Sequence, residues 1–442
     1  MTNKVKYYII VISKEYILVE SRCININTIN IVRPGTYTRP ATYTNKAAYT
    51  NKTAAPSHNE FLISRRSLIF GLSYALDIAG KNNLSHSKST AYLSVLTARA
   101  IGLKETEILD IYYAALLHDI ALSESYNRLK HCADGKKMIQ HLPLPSAVSE
   151  NVYYHHEYYD GSGVLGISGD NIPIGAQIIC LASDFDDFFG KRADSFDRDL
   201  FVQVCDWLEA KKGLFSAVLI SAFEDLIERE FFLLDYFNYE TKYTLSGKLI
   251  LDDNTYYNYD DVVKFAHCFA EIIDRKSKFT YSHSQGVANL AKKAAAYLGY
   301  SKVTQEKMYI AGLLHDIGKL HVSTDILHKN GKLTSDERFE MNKHTYYTRK
   351  ILEQVKGFED IVNYAANHHE RVDGTGYPYR IGKSALSQLE KTMAICDVYH
   401  ALSESRPYRE SLPVEKVWSI IHEMADTGHL DKKLVIVLEH AF

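Results

Sequence analysis

Seven residues of types that hold metal ions occur twice along this chain of 442 residues. In the C-terminal half they are His283, His315, Asp316, His344, His368, His369 and Asp397. In the N-terminal half they are His86, His118, Asp119, His131, His155, His156 and Asp184. The first three positions recur at a constant offset of 197 and the last four at 213. Histidine and aspartate scattered for packing or surface reasons would not keep two such offsets, so the site is duplicated.

The chemistry follows from the residue types. An adjacent His-Asp pair lets an imidazole take one metal while the carboxylate reaches the same ion or bridges to a second. An adjacent His-His pair on a helix aims its rings about 100° apart, so both serve only a shared centre. Five histidines and two aspartates can close around two divalent ions about 3.5–4 Å apart, a pairing that generates a hydroxide nucleophile at neutral pH and clamps phosphoryl oxygens. Hydrolysis of a phosphate ester is the expected reaction. Nitrogen and oxygen donors without thiolate suit Fe, Mn, Co or Zn. A lone histidine on an apolar helix face is more often a hydrogen-bonded core residue, and His321, His328, His400 and His422 are read that way, with no role.

The elements that must position these residues read as helices. The runs from Ser85 and Ser282 each begin Ser-His-Ser, and a serine ahead of an apolar periodic run is a good N-cap. Val287, Leu290, Ala291, Ala294 and Leu298 follow His283 at helical steps, which puts His283 at the head of a buried face. Tyr112–Ile120 and Tyr309–Ile317 are apolar helical stretches that carry the two His-Asp pairs, and Asp184 and Asp397 fall inside further apolar helices. The expected fold is all-α, with two tandem helical bundles. Residues 1–57 read as a loosely ordered, low-complexity leader, 58–235 as the first bundle, 236–259 as a linker and 260–442 as the second bundle.

The copies are unequal. His118 to His131 spans 13 residues, whereas His315 to His344 spans 29, and the extra stretch holds Lys319. Composition places few further limits. Hydrophobic residues at 46%, charged residues at 24% and a net charge of −3 describe an ordinary globular protein without the global positive charge that a DNA or RNA polymer would call for. The six cysteines form no C-x-x-C pair, which fits reduced thiols. The apolar run Tyr7–Ile12 is too short for a membrane span, and a cytoplasmic location is expected.

Several motifs appear in order: His315-Asp316-Ile317-Gly318-Lys319, then His368-His369-Glu370-Arg371-Val372-Asp373-Gly374-Thr375-Gly376-Tyr377-Pro378, then Asp397-Val398-Tyr399, then Arg406-Pro407-Tyr408-Arg409. Over residues 275–442 the chain resembles the HD-GYP subgroup of the HD-domain phosphohydrolases. The resemblance implies an HD-type helical fold and a phosphodiesterase that opens c-di-GMP to linear pGpG and often on to GMP, or in some members 3′,3′-cyclic GMP-AMP. It implies two divalent metals, with iron or manganese the leading expectation. His283, His315, Asp316 and Asp397 would surround one, and Asp316, His344, His368 and His369 the other. Lys319 would be catalytic beside Asp316, stabilising charge on the phosphoryl oxygens. Gly376, Tyr377 and Pro378 would shape the substrate cleft, and Arg406 and Arg409 would pair with phosphates or guanine edges. Two departures stand out. Some members hold a third metal with a Glu four residues before the first His, where this chain has Phe279. Arg380, placed among the substrate-binding residues, stands where the family usually has glycine.

The first bundle resembles the same fold less completely. It keeps the seven ligand types, but Leu122 stands in place of Lys319 and Gly163-Val164-Leu165 in place of Gly-Tyr-Pro. Its readings are a second phosphohydrolase, a metal-binding but inactive partner, or an empty relic. The middle one is favoured because ligands without a phosphate-facing cation make a poor phosphodiesterase. Competing readings for the whole chain are a phosphohydrolase of other nucleotides and a cyclic-dinucleotide receptor without turnover. A homodimer stays open.

Overall fold

The computed structural model describes residues 7–12, 15–20, 61–80, 85–121, 127–190, 196–238, 253–276, 281–404 and 410–442. The chain divides into two units, Met1–Ala55 and Pro56–Phe442. In the first, strand β1 (Tyr7–Ile12) pairs antiparallel with β2 (Glu15–Glu20), with Tyr7 opposite Glu20 and Ile12 opposite Glu15. The expected loose leader thus contains a hairpin. Both runs are rich in Tyr, Ile and Val, which suit a pleated backbone, and the low-complexity stretch from Arg33 lies outside the described residues.

The second unit is helical, with eighteen α-helices among the described residues. After the short strand β3 (Ile63–Ser64) come α1 (Arg65–Gly80), α2 (His86–Ala100), α3 (Glu105–Leu117), α4 (Arg128–Gln140), α5 (Ser146–Tyr154), α6 (Ile174–Phe189), α7 (Arg198–Glu209), α8 (Ala217–Ile227) and α9 (Glu230–Phe237). Strand β4 (Tyr256–Tyr257) leads into α10 (Tyr259–Lys276), α11 (Tyr281–Tyr297), α12 (Lys302–Leu314), α13 (Thr324–Leu327), α14 (Ser335–Leu352), α15 (Glu359–Ala366), α16 (Gln388–Ser403), α17 (Val414–Asp426) and α18 (Lys432–Glu439). The five helices α2 to α6 correspond in order to α11, α12, α14, α15 and α16, so the sequence duplication is a duplication of fold. No helix among the described residues is long and apolar enough to cross a membrane.

The two bundles share one continuous apolar core. Helix α1 belongs by sequence to the first bundle, yet a Cβ on its Gly71 would stand 2.5 Å from Val355 Cγ2 of the second, so glycine permits the close approach. Residues 253–257 of the expected linker are structural. Strand β4 pairs with β3, and Asp253 takes two bonds from Arg65, at 2.8 and 2.7 Å, and one from the Tyr113 hydroxyl. Arg275 of α10 reaches Asp134 of α4 at 2.8 Å.

Neither expected serine cap forms. Ser85 makes no capping bond with its side chain. The buried Asp77 of α1 instead accepts the Ser87 backbone N–H at 3.0 Å. Ser282 lies inside α11. A carboxylate from a neighbouring helix satisfies an open N–H of the first turn as well as a local hydroxyl does. The described cysteines, Cys132, Cys180, Cys205, Cys268 and Cys396, are all free.

Candidate metal centre

In the second bundle the candidate ligand side chains come from five helices and their ends. His283 lies in the first turn of α11, His315 caps α12 with Asp316 next to it, and His344 is on α14. His368 and His369 follow α15, and Asp397 is on α16. The apolar faces of α12 and α15 bury those helices up to their C-termini, so the polar pairs His315-Asp316 and His368-His369 emerge where each helix ends and the chain must turn. Gly318 lets the turn after Asp316 lie on α14, since a Cβ there would be 1.8 Å from the His344 carbonyl oxygen.

The side chains form two clusters, His283 with His315 and Asp397, and His344 with His368 and His369. Asp316 stands between them. Its Oδ2 is 3.3 Å from His315 Nε2, and its Oδ1 is 3.5 Å from His344 Nε2 and 4.0 Å from His368 Nε2. His283 Nε2 lies 3.0 Å from Asp397 Oδ1. Three of the rings are held by their own helices. His315, His344 and His368 bond through Nδ1 to the carbonyls of Gly312, Met341 and Ala365 at 2.8, 2.7 and 2.6 Å. That contact places the proton on Nδ1 and turns the Nε2 lone pair inward.

This donor set fits metal ions. His315 Nε2 is buried and has no hydrogen-bond partner, a costly state for a polar atom that a ligated cation would relieve. Burial drives the His368 imidazole well below its ordinary value and His344 down to about 3, with His369 adding to both. Neutral imidazole is the ligating form. Burial resists charge on Asp316 and Asp397, but Lys319 and His315 hold Asp316, and His283 and His315 hold Asp397, far below the usual carboxylate range.

Lys319 lies in the 3-10 turn Ile317–His321, with its Nζ 2.5 Å from Asp316 Oδ2. Thr348 of α14 fixes that turn by accepting the Gly318 N–H at 3.0 Å and donating to the His315 carbonyl at 2.9 Å. The Gly376-Tyr377-Pro378 loop packs directly on the His-His pair. Tyr377 sits 4.9 Å from the His369 ring, and a Cβ on Gly376 would be 2.6 Å from the His369 carbonyl oxygen. The buried Glu370 holds the loop by accepting the N–H groups of Tyr379 and Ile381 at 2.7 and 2.8 Å. Arg380 is exposed and has a φ of 57°, the left-handed conformation that explains why glycine suits this place. Arg406, Arg409 and Phe279 lie outside the described residues.

The first bundle brings its residues together with different neighbours. His131, His155 and His156 cluster, as do His86, His118 and Asp119. Asp119 again stands between, 3.3 Å from His131 Nε2 and 3.6 Å from His118 Nε2. Asp184, however, is engaged by Lys211 at 2.7 Å and the Tyr158 hydroxyl at 3.1 Å. His86 turns its Nδ1 to the buried Asp186 at 2.8 Å. Glu157 cradles the Gly163-Val164-Leu165 loop through the N–H groups of Leu165 and Ile167 at 2.7 and 2.8 Å, as Glu370 does in the other copy. Leu122 lies outside the described residues.

Sequence reasoning missed four participants: Asp186, Lys211, Glu404 and His400. His400 was set aside as a core histidine, yet its Nδ1 is 3.2 Å from His283 Nδ1. Its position three residues after Asp397, one helical turn on along the same face, was the available signal. The other histidines set aside include His321, which stacks on Tyr347 at 3.8 Å, and His422, which pairs with Glu439 at 2.8 Å.

The model of the HD domain matches residues 54–198 and again 267–434. The chain belongs to the HD-domain family. It is a hydrolase, and its two HD domains are the two bundles described above. It is similar to the 3′3′-cGAMP-specific phosphodiesterase 1 of Vibrio cholerae, 30% identical over 86% of this chain and 92% of that protein. A cyclic di-GMP phosphodiesterase of Pseudomonas aeruginosa is 36% identical over 36% of this chain and 38% of its own length. The crystal structure of a cyclic GMP-AMP specific phosphodiesterase of V. cholerae shares the fold, with a TM-score of 0.66 and 23% identity over 86% of this chain and 98% of that one.

Proposed function

We propose that the second HD domain hydrolyses a 3′,3′-cyclic dinucleotide at a two-metal centre and that the first HD domain is a non-catalytic partner. The observation that carries the proposal is Asp316, whose two carboxylate oxygens face separate histidine clusters while Lys319 contacts it from the side. His283, His315, Asp316 and Asp397 would hold one ion, and Asp316, His344, His368 and His369 the other. When bound, such a pair supplies a nucleophile at neutral pH and positive charge opposite the phosphoryl oxygens.

The chain's own residues do the rest. Lys319 adds a cation where negative charge grows as the phosphodiester is attacked. Gly376, by lacking a side chain, lets its loop lie on the His369–Arg371 backbone and bring Tyr377 to the edge of the centre. The Tyr377 ring offers a base or ribose an aromatic surface. Arg380, exposed on that loop, and Arg406 and Arg409 supply further cations for phosphates or guanine edges.

Cyclic GMP-AMP is the preferred substrate in this reading and c-di-GMP the second. A relative that matches across both domains is named for cGAMP, and the cyclic di-GMP phosphodiesterase cited above matches over only about a third of the chain. The test is anaerobic purification, a count of bound iron and manganese, and chromatography of products from each dinucleotide. Faster opening of cyclic GMP-AMP is expected. No turnover of either by a metal-loaded protein would overturn the assignment.

A further inference from the structure

His283 differs from three of the other candidate ligand histidines in how its ring is held. His315, His344 and His368 sit at or beyond the third turn of their helices and bond through Nδ1 to the carbonyl three residues back. His283 lies in α11, two residues after its first described residue, Tyr281. Its Nδ1 instead meets Nδ1 of His400 at 3.2 Å, and Glu404 Oε2 lies 3.6 Å from His400 Nδ1 and 3.9 Å from His283 Nδ1.

A second observation marks this contact as built. A Cβ on Gly286 would stand 1.7 Å from His400 Nε2 and 2.2 Å from its Cδ2. Glycine is therefore needed for the imidazole to occupy that place. The first domain changes both members together, with Ser89 at the Gly286 position and Asp187 at the His400 position. There the ring of His86 meets carboxylates, Asp186 at 2.8 Å and Asp187 at 3.9 Å.

We infer that His400, seated in the space left by Gly286, is a positioning residue that accepts the Nδ1 proton of His283 and so aims the His283 Nε2 lone pair at the metal beside Asp397. In a pair of facing nitrogens one must donate and one accept. His283 can ligate through Nε2 only if its own proton is on Nδ1, which makes His400 Nδ1 the acceptor. The inference rests on the seven residues being metal ligands but not on which dinucleotide is cleaved.

The test is Mn²⁺ binding by the metal-free full chain, followed by electron paramagnetic resonance of free Mn²⁺. His400→Phe keeps the ring and removes the acceptor, and is expected to weaken one site about 10- to 100-fold, leaving the His344, His368 and His369 site unchanged. His400→Asn places an acceptor oxygen where Nδ1 stood and is expected to restore most of that loss. Nitrogen-15 NMR of Zn²⁺-loaded wild type, with histidine labelled, should find the His283 proton on Nδ1, whereas in the metal-free chain Nε2 donates to Asp397 at 3.0 Å. Wild-type affinity at both sites in His400→Phe, no recovery in His400→Asn, or a His283 proton on Nε2 of the Zn²⁺-loaded protein would each overturn the inference. A wild type that binds no Mn²⁺ would instead overturn the metal reading beneath it.

Discussion

In the first HD domain the ring of His86 is bound by a buried carboxylate, whereas in the second the equivalent face of His283 meets the imidazole of His400. Burial resists charge on His86, yet Asp186 and Asp119 outweigh it and push its pKa up to about 10. The aspartates diverge in the same way. Asp397 faces His283 and His315, while Asp184 is engaged by Lys211 and Tyr158. The lesson is that one set of residue types can be given different neighbours in two copies of a fold.

Four outcomes would break or sharpen this contrast. The largest concerns Lys319, absent from the first domain: Lys319→Met should lower kcat about 10²- to 10³-fold while bound metal, counted by emission spectrometry, stays at the wild-type level. Next come the two loop cradles. Glu370→Ala leaves two backbone N–H groups without their acceptor and should cost about 1–3 kcal/mol in urea unfolding, with a loss of turnover. Glu157→Ala should cost a similar amount of stability and leave turnover within about twofold, because its loop is remote from the chemistry proposed here. The smallest effect concerns the shared left-handed position, Arg380 at φ 57° and Gly166 at φ 69°. A side chain there costs about 1–2 kcal/mol and glycine loses about 0.5–1 kcal/mol of chain entropy. Arg380→Gly should therefore gain about 0.5 kcal/mol and Gly166→Ala should lose a comparable amount, both read as shifts in thermal midpoint.

The duplication, the helical class and the ligand clusters were legible because metal binding demands particular residue types, and helical packing preserves their spacing. Asp316 could be placed between two clusters on those grounds. The neighbours that separate the copies were not legible. Lys211 reaches Asp184 from 27 positions away and Tyr236 reaches Asp186 from 50, and no local pattern links them. His400 looked like an ordinary core histidine because its partner lies 117 residues earlier. The Ser85 cap does not form because Asp77 of the preceding helix takes a first-turn N–H of α2 instead. The junction at residues 253–257 reads as polar linker, since only the fold reveals that Asp253 meets Arg65 and Tyr113.

The central claim is that the second domain alone performs the chemistry, and the paired carboxylates test it most directly. Asp316→Asn and Asp119→Asn, each loaded with metal anaerobically, should be assayed beside wild type by chromatography of 3′,3′-cyclic GMP-AMP and c-di-GMP. The account predicts a loss of at least about 10³-fold in turnover for Asp316→Asn, and activity within about threefold of wild type for Asp119→Asn. Equal loss in the two variants, or loss only in Asp119→Asn, would contradict it.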